Sequence, residues 1–167
     1  VLGAPIASGA ATGGAAGAAV TACILARAGK ITIVNRDAER AESLLERVSG
    51  SLRNIAAEAL PLEQSAAGSV READLIINAT SASLHNALPP APANLFHGAA
   101  LAYDMLYSSK LTPFLEFARA QDVTRLADGT GMLVEQAAES FLLWRGIRPE
   151  TQLIIRQLRD ALRHHAS

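Results

Sequence analysis

The residues that suggest chemistry first are a run of glycines and the polar residues that follow it at a set distance. Gly13 and Gly14 stand in Gly9-Ala10-Ala11-Thr12-Gly13-Gly14-Ala15-Ala16-Gly17, ahead of a helical run that ends near Gly29. Backbone without side chains at a helix start lets an anion approach the amides, and the positive end of the helix dipole faces it. A pyrophosphate is the anion such a turn suits. Close packing of a helix start would use the same Gly and Ala residues, so this stretch alone leaves both readings open. Asn35 and Arg36 follow Gly13 by 22 residues, close to the ~20 at which a ribose-reading residue falls in dinucleotide-binding units. A carboxylate there would accept from a ribose 2′-hydroxyl and repel a 2′-phosphate. Asn35 and Arg36, with Arg40 on the next helical turn, offer donors and positive charge instead, which favours NADP over NAD. Asp37 and Glu39 lower the local positive charge, and surface pairing of Arg36 and Arg40 with Glu39 or Glu42 is the alternative.

No rival site emerges from the other titratable residues. His85, His97, His164 and His165 have no spacing that gathers three metal ligands, so no metal site is expected. Asp104 and Asp128 either act together in a cleft or organise backbone, one after a strand and one before a glycine turn. Cys23, among Val20, Ile24 and Leu25, reads as a small buried hydrophobe. As the lone cysteine it makes no internal disulfide, and no cationic and apolar leader precedes Val1, so a cytoplasmic setting is expected.

These residues must be carried on elements, and the pattern from residue 31 onward alternates short β-branched runs with longer helix-period segments. That is the signature of βα units on a parallel sheet. Strands are expected at Ile31 to Val34, Leu75 to Ala79, Leu101 to Asp104 and Val123 to Leu126. Ala38 to Ser49 places Ala41, Leu44, Leu45 and Val48 on one helical stripe, with Asp37 as cap. Further helices start near Pro61, at Thr112-Pro113, near Thr130 and at Pro149-Glu150, and Gly146 closes the one before the last. The last helix buries Ile154, Ile155, Leu158 and Leu162. The expected fold is α/β, a Rossmann-like doubly wound parallel sheet with flanking helices. Its central strand should lead straight into the glycine turn, yet no β-rich run precedes Gly9; either Val1 to Ala4 supplies it across a long loop, or the front is shortened.

The chain has 167 residues, half of them hydrophobic, enough for one domain and short for an enzyme that separates cofactor and substrate into two. A net charge of -1 with interspersed signs gives no electrostatic footprint for nucleic acid or an anionic membrane. The longest apolar runs fall far below the roughly 20 residues of a membrane span. Small molecules are the expected partners.

Three motifs bring a family into view: Asn35-Arg36-Asp37-Ala38-Glu39-Arg40, Leu75-Ile76-Ile77-Asn78-Ala79-Thr80-Ser81, and the series from Tyr103-Asp104-Met105-Leu106-Tyr107 through Thr112-Pro113-Phe114-Leu115 to Ala127-Asp128-Gly129-Thr130-Gly131-Met132-Leu133-Val134-Glu135-Gln136. From Asn35 to the C-terminus the chain resembles shikimate dehydrogenase. The resemblance implies reversible, NADPH-dependent reduction of 3-dehydroshikimate to shikimate, in aromatic amino-acid biosynthesis. It implies that Asn35, Arg36 and Arg40 clamp the adenosine phosphate, with Gly13 and Gly14 at the pyrophosphate. It places Asn78, Thr80, Met105, Gly129 and Met132 on the nicotinamide side, and Tyr107 and Gln136 toward substrate. Gln136 follows Met132 by one helical turn, so both can look into one cleft. Core filling is the alternative for the two methionines, and surface positions for Tyr107 and Gln136.

The front end departs from the family's glycine motif, approximately G-A-G-G-A-[AS]-[RK]: with Gly13 and Gly14 on its last two glycines, Ala11 takes the first and Gly17 the basic position. A phosphate contact is then lost. Val1 to Ala7 resembles the opening of the family's substrate domain, so residues 1–8 are read as a remnant of it and 9–167 as the NADP-binding domain. The family's proton donor is a lysine paired with an aspartate in the substrate domain. Neither Lys30 nor Lys110 sits in that motif, so no catalytic residue is named and the chain by itself is expected to be inactive. A non-catalytic NADP-binding or scaffold module, and a quinate or shikimate dehydrogenase relative, are the alternatives. A bare strand edge at the shortened front would favour association, such as a homodimer.

Overall fold

Apolar runs buried on both faces dictate a parallel sheet, because only helices on both sides can cover them. The computed structural model describes residues 6–8, 14–64, 73–80, 87–88 and 91–164, and among them six strands form one sheet. In chain order the elements are β1 (Ile6–Ser8), α1 (Gly14–Leu25), β2 (Lys30–Asn35), α2 (Ala38–Leu52), β3 (Ala56–Pro61), the single turn α3 (Leu62–Gln64), β4 (Leu75–Asn78), a 3-10 turn (Ala93–Phe96), β5 (Leu101–Asp104), α4 (Pro113–Ala120), β6 (Leu126–Ala127), α5 (Thr130–Arg145) and α6 (Thr151–His164). Strand order is β3-β2-β1-β4-β5-β6, every neighbouring pair parallel. The order reverses between β1 and β4, which is the doubly wound arrangement expected.

The central strand is present, and that corrects the reading of the front end. Ile6–Ser8 lies between β2 and β4, with Ser8 level with Val34 on one side and Asn78 on the other. Residues 6–8 are therefore the middle of the sheet, not a remnant outside it. With one β-branched residue in three, the strand owes its position to ladders on both sides rather than to propensity. The segment Val1 to Ala4 lies outside the described residues.

Two further expectations change. Ala56–Pro61 forms an edge strand paired with all six residues of β2, although its three alanines give no period-2 signal. Pro61 ends this strand opposite Asn35, and the single turn α3 starts at Leu62, near where a helix start was expected; a proline without N–H is tolerated at such an edge. The strand foreseen at Val123 to Leu126 shrinks to Leu126–Ala127, because Val123 is still bonded to Ala118 as α4 unwinds, and Asp122 takes a left-handed φ of 65°.

Each sheet face has its own core. Val20, Ile31, Ile33, Ala41, Leu44 and Ile77 close the face under α1 and α2, where Cys23 is buried as expected. Phe96 and Phe114 anchor the other, with Ile76, Leu95 and Leu115; Phe96 meets Phe114 at 5.6 Å and Phe117 edge-on at 5.3 Å. Each such ring contributes roughly 1.5–3 kcal/mol on burial. Helix ends follow the sequence signals. Asp37 accepts from the Arg40 amide, Thr112 from the Leu115 amide with Pro113 next to it, and Gly146 stops α5 at φ 71°. On α6 Ile155 is buried, but Ile154 is 46% exposed, against expectation, since it falls on the flank of the stripe.

Candidate functional site

In an open parallel sheet the ligand crevice lies beyond the carboxyl ends of the strands, where the strand order reverses. Ser8, Asn35, Asn78 and Asp104 end β1, β2, β4 and β5, so polar residues collect along that edge. Gly14 begins α1 just beyond β1; it is exposed, and a Cβ there would meet nothing within 4 Å. The helix start is thus open to an approaching anion. Gly13 lies outside the described residues.

At the end of β2 the expected clamp is only partly free. Asn35 is 6% exposed, and its Oδ1 accepts from the Asp37 amide, so this side of the carboxamide shapes the turn into α2. Arg36 is exposed. Arg40 places its Nε 3.0 Å from Asp37 Oδ2, an i,i+3 pair that takes up part of its charge. The partner is Asp37, and not Glu39 or Glu42.

On the other side of the switch point lies a buried network around Asp104. Asn78 Nδ2 donates to Asp104 Oδ1 at 3.1 Å, Thr112 Oγ1 donates to Oδ2 at 2.6 Å, and the Leu106 amide donates to Oδ1. Asn78 Oδ1 in turn accepts from the Thr80 amide and hydroxyl, at 3.0 and 2.8 Å. Asn78 and Asp104 are both 0% exposed. Asn78, expected at the nicotinamide, therefore acts from inside: it holds Thr80 and ties β4 to β5. The carboxylate of Asp104 organises backbone, and so does that of Asp128, which accepts from the Thr130 amide.

Gly129 explains how the next loop is set. Its amide donates to the Leu106 carbonyl at 3.0 Å, and a Cβ on it would lie 2.1 Å from the Met105 carbonyl oxygen. Only glycine permits this approach between the end of β5 and the start of α5. The contact brings Met105 and Met132 together.

Both methionines and Gln136 line one groove of about 500 Å³ with Ala22, Tyr103 and Ile77, between α1, the β4-β5 surface and α5. Its walls are mostly apolar. Burial pushes the Tyr103 phenol above its usual range, with Asp128 and Asp104 adding to the rise. Tyr107, 45% exposed, lies on the loop after β5 and does not line this groove with Gln136. Lys30 opens β2, at the opposite end of the strand from the crevice, and its ammonium is 2.5 Å from Glu58. Lys110 lines a separate groove with Ser108, Ser109, Arg159 and Arg163.

Sequence reasoning missed the network that centres on Asp104 and Thr112. The signal available was Thr112-Pro113 as a helix cap, whose second role, a hydroxyl donated to a residue eight positions back, no spacing rule reveals. Among the described residues no three His, Cys, Asp or Glu side chains gather as a metal site, and no helix is long and apolar enough to cross a membrane.

Known proteins of this kind match nearly the whole chain. The family model for Shikimate / quinate 5-dehydrogenase matches residues 10–87, and that for the Shikimate 5'-dehydrogenase C-terminal domain matches residues 129–159. The shikimate dehydrogenase (NADP(+)) of Nitrosomonas europaea is 57% identical over 93% of this chain and 54% of its own. An Ael1 enzyme from Pseudomonas putida superposes with a TM-score of 0.79 at 42% identity, covering 93% of this chain and 54% of that one. Shikimate 5-dehydrogenase from Thermus thermophilus, solved in complex with shikimate, superposes at 0.69 with 30% identity, over 95% of this chain and 54% of that one. The chain spans about half the length of the curated relatives it matches.

Proposed function

The chain belongs to the shikimate dehydrogenase family, and we propose that it is the NADP-binding part of such an enzyme, serving the reversible reduction of 3-dehydroshikimate to shikimate. The observation that carries this is the crevice at the β1-β4 switch point, with an open helix start at Gly14, exposed Arg36 at the end of β2, and the Met105-Met132 pair across from them. These features suit a long anionic dinucleotide: amides and dipole for the pyrophosphate, a cation for the 2′-phosphate, apolar sulfur side chains for a nicotinamide face. When bound, NADPH supplies the hydride.

Under this proposal Gly13 and Gly14 let backbone reach the pyrophosphate, while Asn35, Arg36 and Arg40 hold the adenosine phosphate. Thr80, Met105 and Met132 bound the nicotinamide. Asn78 and Gly129 position that loop without touching the ring. Tyr107 and Gln136 face substrate in the whole enzyme, where the shikimate carboxylate and hydroxyls need polar partners. Reduction of the ketone also requires a proton donor. Lys30 is held by Glu58 away from the crevice, so the acid comes from elsewhere in the whole enzyme, and this chain alone binds cofactor without turnover. A cytoplasmic location suits a lone cysteine whose thiol is buried rather than bridged, burial pushing its pKa up. Self-association would use the exposed α5 side chains Phe141, Leu143 and Trp144.

Calorimetric titration with NADP, and separately with NAD, tests the proposal. NADP is expected to bind clearly more tightly; binding of neither refutes it.

A further inference from the structure

Arg47 stands outside every residue assigned above. It lies on α2 two turns after Arg40, and among the described residues it makes no hydrogen bond or ion pair. Yet its guanidinium is not simply directed at solvent. A Cβ built on Gly17 would sit 3.9 Å from Arg47 Nη2 and 3.9 Å from Leu44 Cδ1. Gly17 is in the first turn of α1, so the Arg47 side chain crosses from the third turn of α2 to the start of the neighbouring helix. Helical side chains lean toward the N-terminus of their own helix, which on α2 means toward Arg40 and the crevice.

The charge balance gives this crossing a consequence. Around the end of β2 and along α2 before Arg47 stand Arg36, Arg40, Asp37, Glu39, Glu42 and Glu46, two cations and four anions. Asp37 is bonded to Arg40 through both its backbone amide and its Nε. These six groups sum to a net negative charge, and a 2′-phosphate arriving there meets little net attraction from them together. Arg47 is the added cation. Its seven-residue separation from Arg40 is a rise of about 10 Å along the helix, about one Debye length at ordinary salt, and the reach of its side chain toward the crevice shortens that.

We propose that Arg47 is a specificity-determining residue of this site: its guanidinium, brought to the first turn of α1 over Gly17, supplies the positive charge that makes the pocket prefer a 2′-phosphorylated dinucleotide. The absence of a side chain at position 17 leaves its path clear. This rests on the NADP-binding proposal above and names a residue for it.

The test compares wild type, Arg47→Gln and Arg36→Gln with four ligands, NADP, NAD, 2′,5′-ADP and ADP, each titrated by calorimetry. Arg47→Gln is expected to weaken NADP and 2′,5′-ADP about fivefold while NAD and ADP change little. Its unfolding temperature should match wild type, because the side chain is exposed. Adding Gly17→Arg to Arg47→Gln should restore the preference, since that position has room for a Cβ at ordinary contact distance. Equal weakening of all four ligands would make Arg47 merely structural and overturn the inference. Unchanged NADP affinity in Arg47→Gln, with NADP preference lost in Arg36→Gln, would overturn it while leaving the NADP-binding proposal intact. If wild type binds none of the four, both fall.

Discussion

Replacing Gly129 with alanine isolates the close approach that sets the Met105-Met132 side of the crevice. The new Cβ would stand 2.1 Å from the Met105 carbonyl oxygen and 2.8 Å from its carbon. A carbon and a carbonyl oxygen rest at about 3.3 Å, so the β5 end and the start of α5 must part by about 1.2 Å. The obstacle is backbone, which cannot swing away as a side chain would, and the Gly129 amide to Leu106 carbonyl bond of 3.0 Å lies across the same gap. The cost falls at the upper end of overpacking, about 3 kcal/mol. For a chain of this size the thermal midpoint should drop by roughly 6–12 °C. The same parting separates Met105 from Met132, so NADP should bind about tenfold more weakly. The fragment 2′,5′-ADP, which has no nicotinamide, should bind as it does to wild type. Thermal unfolding followed by circular dichroism and two calorimetric titrations make the measurement. A midpoint within 2 °C of wild type, set against the roughly 6–12 °C expected, or equal loss for both ligands, would refute the reasoning.

Other expectations follow from single interactions. Thr112→Ala removes both the cap on α4 and a donor to the buried Asp104 carboxylate, so it should destabilise by about 2–4 kcal/mol, read as a lower urea midpoint; Thr112→Ser, which keeps the hydroxyl, should recover most of it. Glu58 is held below its ordinary carboxyl range by its bond to Lys30, with Thr32 adding to the shift. A depressed carboxyl contributes stability above its unfolded value and loses it as pH falls through the folded one. Unfolding midpoints of wild type should therefore drop more steeply below about pH 4.5 than those of Glu58→Gln; parallel curves would rule the pair out as a contributor. Phe141→Lys with Leu143→Lys should reduce self-association measured by sedimentation and leave NADP affinity as it was, because both side chains are exposed on α5.

Local sequence was sufficient wherever a signal acts through the chain itself. The alternation of β2, β4 and β5 with helical stripes follows from side-chain period, and the caps Asp37 and Thr112 and the stop at Gly146 follow from backbone groups within a turn of those residues. The ordered motifs from Asn35 to Gln136 likewise carry the family resemblance in the sequence alone. Tertiary structure decided what depends on neighbours distant in sequence. Ile6–Ser8 and Ala56–Pro61 are strands because ladders from β2 and β4 satisfy their backbones, and neither carries the pattern that would announce it. Asn78 is turned inward by Asp104, which lies 26 residues away. Gly129 is glycine because of a carbonyl at Met105, and Arg47 meets Gly17 only because α1 and α2 lie side by side. Propensity, capping and period are short-range effects written residue by residue; steric exclusion, buried hydrogen bonding and the sum of charges at a site exist only once the sheet has brought separate segments together.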